Sequence, residues 1–254
     1  MLISMKNLSD YKIEATDGGV GHVDSFLFDD QSWMIRYLVV DTAYLLPGRK
    51  VLLVPSVLGK PEGTMDAFPV DLTREQVKNS PDIDTRQSVS RQQEIELHRY
   101  YSWTPYWDAG FDPIAAPYTP VVPPMGRQVQ AAQAAGEKAE EKPENPHLRS
   151  TREVAGYKIH AEDGRIGHVD DFLIDDADWT IRYLVADTRD WLPGKKVIIP
   201  PQWVNDIKWG QSEVFVKVSK ETVKDSPEFD PSAPVSRDYE IRLYDYYGWP
   251  KYWL

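Results

Sequence analysis

The chain has 254 residues and a net charge of -11, which argues against a nucleic-acid binder, since that would need a basic stripe for phosphates. It contains no cysteine, so disulfides, thiolate metal sites and cysteine nucleophiles are excluded too. No apolar run approaches the roughly 20 residues of a membrane helix, and the N-terminal stretch MLISMKNLSDYKI lacks a signal-peptide pattern, so the expectation is a cytoplasmic protein with no transmembrane segment.

Tyr11 to Ala15 alternates and reads as a strand. Asp17-Gly18-Gly19 is a hairpin turn, where glycine supplies positive φ. Val20 to Phe28 is a second strand, Asp29 to Ser32 a turn, and Trp33 to Asp41 a third strand rich in β-branched and aromatic residues. Leu46-Pro47-Gly48-Arg49 breaks it, and Lys50 to Val54 is a fourth strand closed by Pro55. The stretch LGKPEGTMDAFPVDL, rich in proline and glycine, reads as a loose hairpin. Thr73 caps a short helix that ends at Ser80-Pro81. Ser90 with Gln93 forms a capping box for a helix to about Tyr101, with Ile95, His98 and Tyr101 near one face. Trp103, Tyr106 and Trp107 then form an aromatic cluster.

Residues 108–147 differ in composition. Five prolines between Pro113 and Pro124 favour extended chain, and an Ala-, Gln- and Glu-rich run follows. The segment reads as a spacer without a fold of its own. The alternative is a docking segment anchored by Ile114, Tyr118, Val121 and Val122.

Residues 148–254 repeat the first part. Tyr11 aligns with Tyr157, an offset of 146 residues that also carries His22 onto His168, Trp33 onto Trp179 and Trp107 onto Trp253 without a gap. Close to half of the positions between Tyr11 and Trp107 are identical to their partners. In the second copy Gly210-Gln211-Ser212 turns the chain into an alternating strand around Val214 and Val216. The second helix carries Ile241, Tyr244 and Tyr247, and Trp249, Tyr252 and Trp253 end the copy. A period this long makes each copy a domain rather than a solenoid unit. The expected organisation is a domain at 1–107, a linker at 108–147 and a second domain at 148–254. The expected fold class is mainly β: a small barrel in each copy, followed by a short helix and an aromatic tail.

The segments DGGVGHVDSFLFDD, WMIRYLVVDT and LPGRKVLLVP, with their equivalents in the second copy, resemble the PRC-barrel domain, named after the H subunit of the photosynthetic reaction centre. The resemblance covers about residues 5–80 and 150–226 and implies a small barrel of about six strands. The whole chain looks like bacterial tandem PRC-barrel proteins of unassigned function. The H subunit has a membrane helix and the ribosome maturation factor RimM a separate N-terminal domain, and neither is read here. What the resemblance implies is a non-enzymatic protein-interaction or assembly module, whose partners are other proteins or further copies of the chain, without a cofactor.

Three groups of residues are candidates for function. The His22-Val23-Asp24 and His168-Val169-Asp170 triplets place a histidine and a carboxylate on one strand face. They could bind a metal or a small ligand, or sense pH, although one histidine and one carboxylate fall short of a zinc ligand set; the plainer reading is a polar strand face. Arg36 and Arg182 lie in apolar strands and need carboxylates, with cross-strand Asp24 or Asp170 as expected partners. The tail aromatics, Trp103, Tyr106 and Trp107 with Trp249, Tyr252 and Trp253, either pack on their own domain or anchor a protein interface. No Walker loop, dinucleotide fingerprint, nucleophile elbow or HExxH occurs.

Overall fold

The computed structural model describes residues 1–42, 45, 48–60, 66–81, 83, 89–107, 147–189, 191–192 and 195–253. Pro47, the centre of the loose first-copy hairpin, and the linker with Ile114, Tyr118, Val121 and Val122 lie outside the described residues. The chain is mainly β, with two sheets and few helices.

The first series of elements is β1 (Leu2–Ser4), α1 (Met5–Leu8), β2 (Lys12–Ala15), β3 (Gly18–Asp29), β4 (Ile35–Asp41), β5 (Lys50–Leu53), β6 (Ala67–Pro69), α2 (Arg74–Lys78) and α3 (Arg91–Tyr101). The second is β7 (Leu148–Ser150), α4 (Thr151–Val154), β8 (Lys158–Ala161), β9 (Gly164–Asp175), β10 (Thr180–Asp187), β11 (Lys196–Ile199), β12 (Val204–Lys208), β13 (Glu213–Val216), α5 (Lys220–Asp225) and α6 (Arg237–Tyr247). Each element of the first series recurs 146 residues on, to within one residue at its ends; β12 alone has no counterpart among the described residues. Left-handed backbone positions recur as well: Ser102 and Gly248, which close α3 and α6, are both left-handed.

One sheet runs β11-β10-β9-β8-β13-β12, with β1 also pairing β9; the other runs β5-β4-β3-β2-β6, with β7 also pairing β3. The pairs β2–β6 and β8–β13 are parallel. Neither path closes among the described residues, so the barrels expected from sequence are seen only as open sheets. The chain leaves β11 through Pro200 and Pro201, two residues without an N–H, into a 3-10 turn at Pro201–Trp203. The expected hairpin after it is present, with Ser212 left-handed at its turn.

By contact the chain divides into two compact units. The first is Met1–Tyr11, His22–Leu38 and Arg149–Leu254; the second is Lys12–Gly21 and Val39–Leu148. In the first, Leu173, Tyr183, Val185 and Ile198 of the sheet pack against Phe229 and against Leu243 and Tyr244 of α6. In the second, Val77 of α2 and Leu97 of α3 are buried, as are Leu52, Leu53 and Phe68 of the strands. Each such side chain contributes about 1.5–3 kcal/mol when fully buried.

The caps read from sequence are in place. Thr73 with Gln76 and Ser90 with Gln93 form capping boxes, and Ser219 and Ser236 cap α5 and α6. The last carbonyls of α2 are closed by a cation: Arg49 donates to Lys78 O at 2.9 Å and to Ser80 O. Lys195, its equivalent, does the same for Lys224 O and Ser226 O.

Two local expectations need correction. Trp33 and Trp179 do not start strands; both are left-handed, with φ of 59° and 57°. In the first copy, Asp29 gathers the N–H groups of Gln31 and Ser32, and Asp29 O accepts from Trp33 N at 2.8 Å, so the turn extends two residues further than its composition suggests. The buried face of α3 is Glu94, Leu97 and His98, and that of α6 is Glu240, Leu243 and Tyr244. The stripe is rotated by one residue from Ile95 and Ile241, because a glutamate on each helix finds partners inside.

Candidate functional site

The most organised polar site of the first unit lies under the C-terminal tail. Tyr183 sits in the apolar strand β10 and is fully buried, so its hydroxyl needs a partner. That partner is Glu240, one turn into α6 and only 2% exposed. Glu240 accepts from the Tyr183 hydroxyl at 2.9 Å and from the Tyr252 hydroxyl at 2.8 Å, and pairs with Arg237 at 2.8 Å. Burial, and then the Glu240 carboxylate beside it, raise the Tyr252 phenol above its ordinary pKa, so it stays a donor. Arg237 also covers the Trp253 ring at 4.3 Å, and Arg182 covers Tyr252 at 4.4 Å. Trp253 meets Tyr244 edge-on at 4.9 Å, and Trp249 meets the buried Trp203 at 5.4 Å. The tail is thus latched to its own sheet by one buried carboxylate.

The second unit repeats the latch. Glu94 is fully buried, accepts from the Tyr106 hydroxyl at 2.7 Å and pairs with Arg91 at 3.0 Å. Arg91 covers Trp107 at 4.2 Å, and Trp103 stacks on Tyr101 at 4.2 Å. Both glutamates were missed by sequence reasoning, which treats a charge on a short helix as solvated. The available signal was a repeated Arg-x-x-Glu after a serine cap, opposite a tyrosine in an apolar strand.

His98 packs edge-on to Trp107 at 4.9 Å, where the second copy has Tyr244. Burial pushes its pKa down from 6.5 to about 4, against opposing hydrogen bonds with the Trp103 and Thr104 backbone. The fold therefore holds a neutral ring, while the unfolded chain takes up a proton near pH 6.5. The contribution of His98 to stability is intact above pH 6.5 and is lost as the pH drops towards 4, by on the order of 3 kcal/mol. Denaturant unfolding between pH 7 and 4 is expected to show this loss, and His98→Phe to show a flatter profile. The difference between the two chains isolates the histidine from the carboxylates that titrate nearby.

The His-x-Asp pairs have a different setting. His168 lies opposite Asp187 in the β9–β10 register, and Asp170 is the extra residue of a bulge between Val169 and Asp171. Ligand atoms of His168, Asp170 and Asp187 fall within 4.8 Å of one another, the one such group among the described residues. The carboxylates are already engaged. Asp170 accepts from Lys6 Nζ at 2.6 Å and Lys196 Nζ at 2.7 Å, and Asp187 pairs with Arg189 at 2.8 Å. Burial raises the Asp170 pKa, but the two lysine hydrogen bonds outweigh it and the net shift is downward. A metal would have to displace two ammonium groups. In the first copy Asp24, two residues after His22, accepts from Arg152 at 2.8 and 3.1 Å.

Arg182 does not pair with Asp170. It bonds Asp178 at 2.5 Å, with Asp175 at 3.6 Å, because the β9–β10 register sets it near the Asp175 end of β9 while Asp170 lies at the bulge opposite Val185 and Ala186. Arg36 bonds the Ser32 hydroxyl at 3.2 Å, and Asp24 is held by Arg152.

In comparison with known proteins, the family model of the PRC-barrel domain matches residues 147–223, from the start of β7 into α5. Arg237, Glu240 and the tail lie beyond the matched segment. No curated protein matches the chain.

Proposed function

We propose that the chain is a non-enzymatic protein-interaction module made of two PRC-barrel domains in tandem. The offset of 146 residues places the counterpart of the matched segment 147–223 at 1–77. Each barrel, with its helix and aromatic tail, forms one of the domains 1–107 and 148–254, joined by the linker 108–147. Cytoplasmic residence belongs to this proposal; among the described residues no helix is long and apolar enough to cross a membrane.

The observation that carries the reading is the state of the tail aromatics. In both copies they are fixed by a buried glutamate, yet Trp103, Trp107, Trp249 and Trp253 are only half-buried. Tyr100 and Tyr246, equivalent residues on α3 and α6, are 40% and 42% exposed. Rigid aromatic rings that keep one face at the surface lose little entropy on binding and make strong anchors. Two such surfaces on one chain raise avidity for a repeated partner.

The test is affinity capture from the native cell with the full chain and with Trp107→Ala plus Trp253→Ala, after checking by circular dichroism that the variant folds. A partner retained by the first and lost by the second is expected. Equal capture by both, or a chain that associates with nothing, overturns the reading.

A further inference from the structure

Within the first compact unit, equivalent residues of the two copies meet each other. Met34 and Thr180, related by the offset of 146, form an isolated antiparallel bridge. Beside it, Ile35 N donates to Trp179 O at 2.9 Å and Ile181 N donates to Trp33 O at 2.8 Å. The offset converts each of these bonds into the other. A position that pairs with its own equivalent marks a local two-fold relation, which is the property of an isologous contact.

The N-terminal arms of the two copies obey the same relation. β1 pairs antiparallel with β9, from Leu2 opposite Asp175 to Ser4 opposite Leu173. Ser4 Oγ donates to Asp171 at 2.5 Å, and Lys6 Nζ donates to Asp170 at 2.6 Å. Reciprocally, β7 pairs with β3, and Arg152, the equivalent of Lys6, bonds Asp24, the equivalent of Asp170. Thr151 Oγ1, which stands where the first copy has Met5, adds bonds to the Phe26 backbone in both directions, at 3.2 and 3.3 Å, that the other arm does not repeat. Met5, Leu8 and Val154 are buried in the process. Each copy therefore carries a donor arm and an acceptor strand, and each acceptor holds the arm of the other copy.

We propose that this contact is self-complementary, so that either copy, freed from the other, pairs with a second copy of itself through the same arm exchange. A surface that recognises its own equivalent recognises an identical one, since the charged pair of arm and acceptor is shared: a cation on the arm, Lys6 or Arg152, and an aspartate on the strand, Asp170 or Asp24. In the intact chain the tether supplies an effective concentration on the order of millimolar and keeps the exchange internal. The proposal stands on the Met34–Thr180 bridge and the arms, and is independent of the aromatic tails.

The test uses the full chain with a protease site placed in residues 127–142, folded first and then cut. Unlabelled and isotope-labelled preparations are mixed after cutting and followed by native mass spectrometry. Warming continues until labels scramble among the pairs of first and second halves, which establishes that halves are exchanging. The expected result is the further appearance of both same-half pairs. Scrambled mixed pairs alone, or halves that separate into monomers on cutting, overturn the proposal. Lys6→Glu with Arg152→Glu, both on exposed side chains, is expected to lower the abundance of all pairs at least about tenfold. Undiminished pairing in that variant overturns the assignment to the arms.

Discussion

Gly167→Ala is expected to destabilise the chain by at least about 4 kcal/mol, among the largest effects of any single substitution. A Cβ at Gly167 would lie 1.9 Å from the Asp187 carbonyl oxygen, 2.9 Å from its carbon and 3.1 Å from Thr188 Cα, and the residue has a φ of +149°. The obstacle is backbone on the neighbouring strand, which cannot swing aside like a flexible side chain. β10 can move only by giving up its register with β9, and that register sets Asp187 opposite His168. Gly21 meets Asp41 in the same way, again at 1.9 Å, which explains why a glycine opens Gly-His-Val-Asp at both places in the sequence. Urea unfolding measures the effect. Gly210→Ala is the control: its Cβ meets nothing within 4 Å, and a change of about 0.5 kcal/mol or less is expected.

Glu240→Ala has the second large effect, a loss of about 3 kcal/mol. The substitution leaves the Tyr183 hydroxyl buried in β10 without its acceptor and releases Tyr252 and Arg237 from the tail. Glu240→Gln keeps an acceptor oxygen of the same shape and is expected to lose about half as much. The two variants also separate in fluorescence: Trp249 and Trp253 become more accessible to quencher in Glu240→Ala than in Glu240→Gln. Equal stability of the alanine variant and the parent chain would show that the latch contributes nothing to holding the tail.

Much of the fold was legible in the sequence because its signals are local. The serine and threonine caps, the turn at Asp17-Gly18 and the Gly210-Gln211-Ser212 hairpin all depend on neighbours within four residues. The gapless offset of 146 then supplied the second series of elements from the first. Pairing across the repeats was not legible. Leu2-Ile3-Ser4 is too short to show a period, and nothing in its pattern says that its partner strand lies more than 160 residues away. Trp33 and Trp179 have the side chains of strand residues, but the turns at Asp29 and Asp175 reach four residues on to their N–H groups, at 2.8 Å in both copies, and both residues are left-handed.

The candidate sites divide along the same line. His168 and Asp170 do share a strand face, as period two requires. What decides their chemistry is Lys6 and Lys196, one from the other copy's arm and one from β11, and neither position follows from the triplet itself. Glu94 and Glu240 were hidden because a charged residue on a short helix ordinarily faces water. Their burial depends on tyrosines, Tyr106 in one case and Tyr183 with Tyr252 in the other, which tertiary packing brings to them.

The latched aromatic tails are the proposed contact surface for a protein partner. The most direct measurement is site-specific photo-crosslinking in the native cell, with the reactive group at Tyr246 on α6 and, as a control, at the exposed Asp206 on β12. One discrete crosslinked protein from position 246 and none from position 206 is the expected result. Crosslinks of equal yield from both positions, or from position 206 alone, would contradict it.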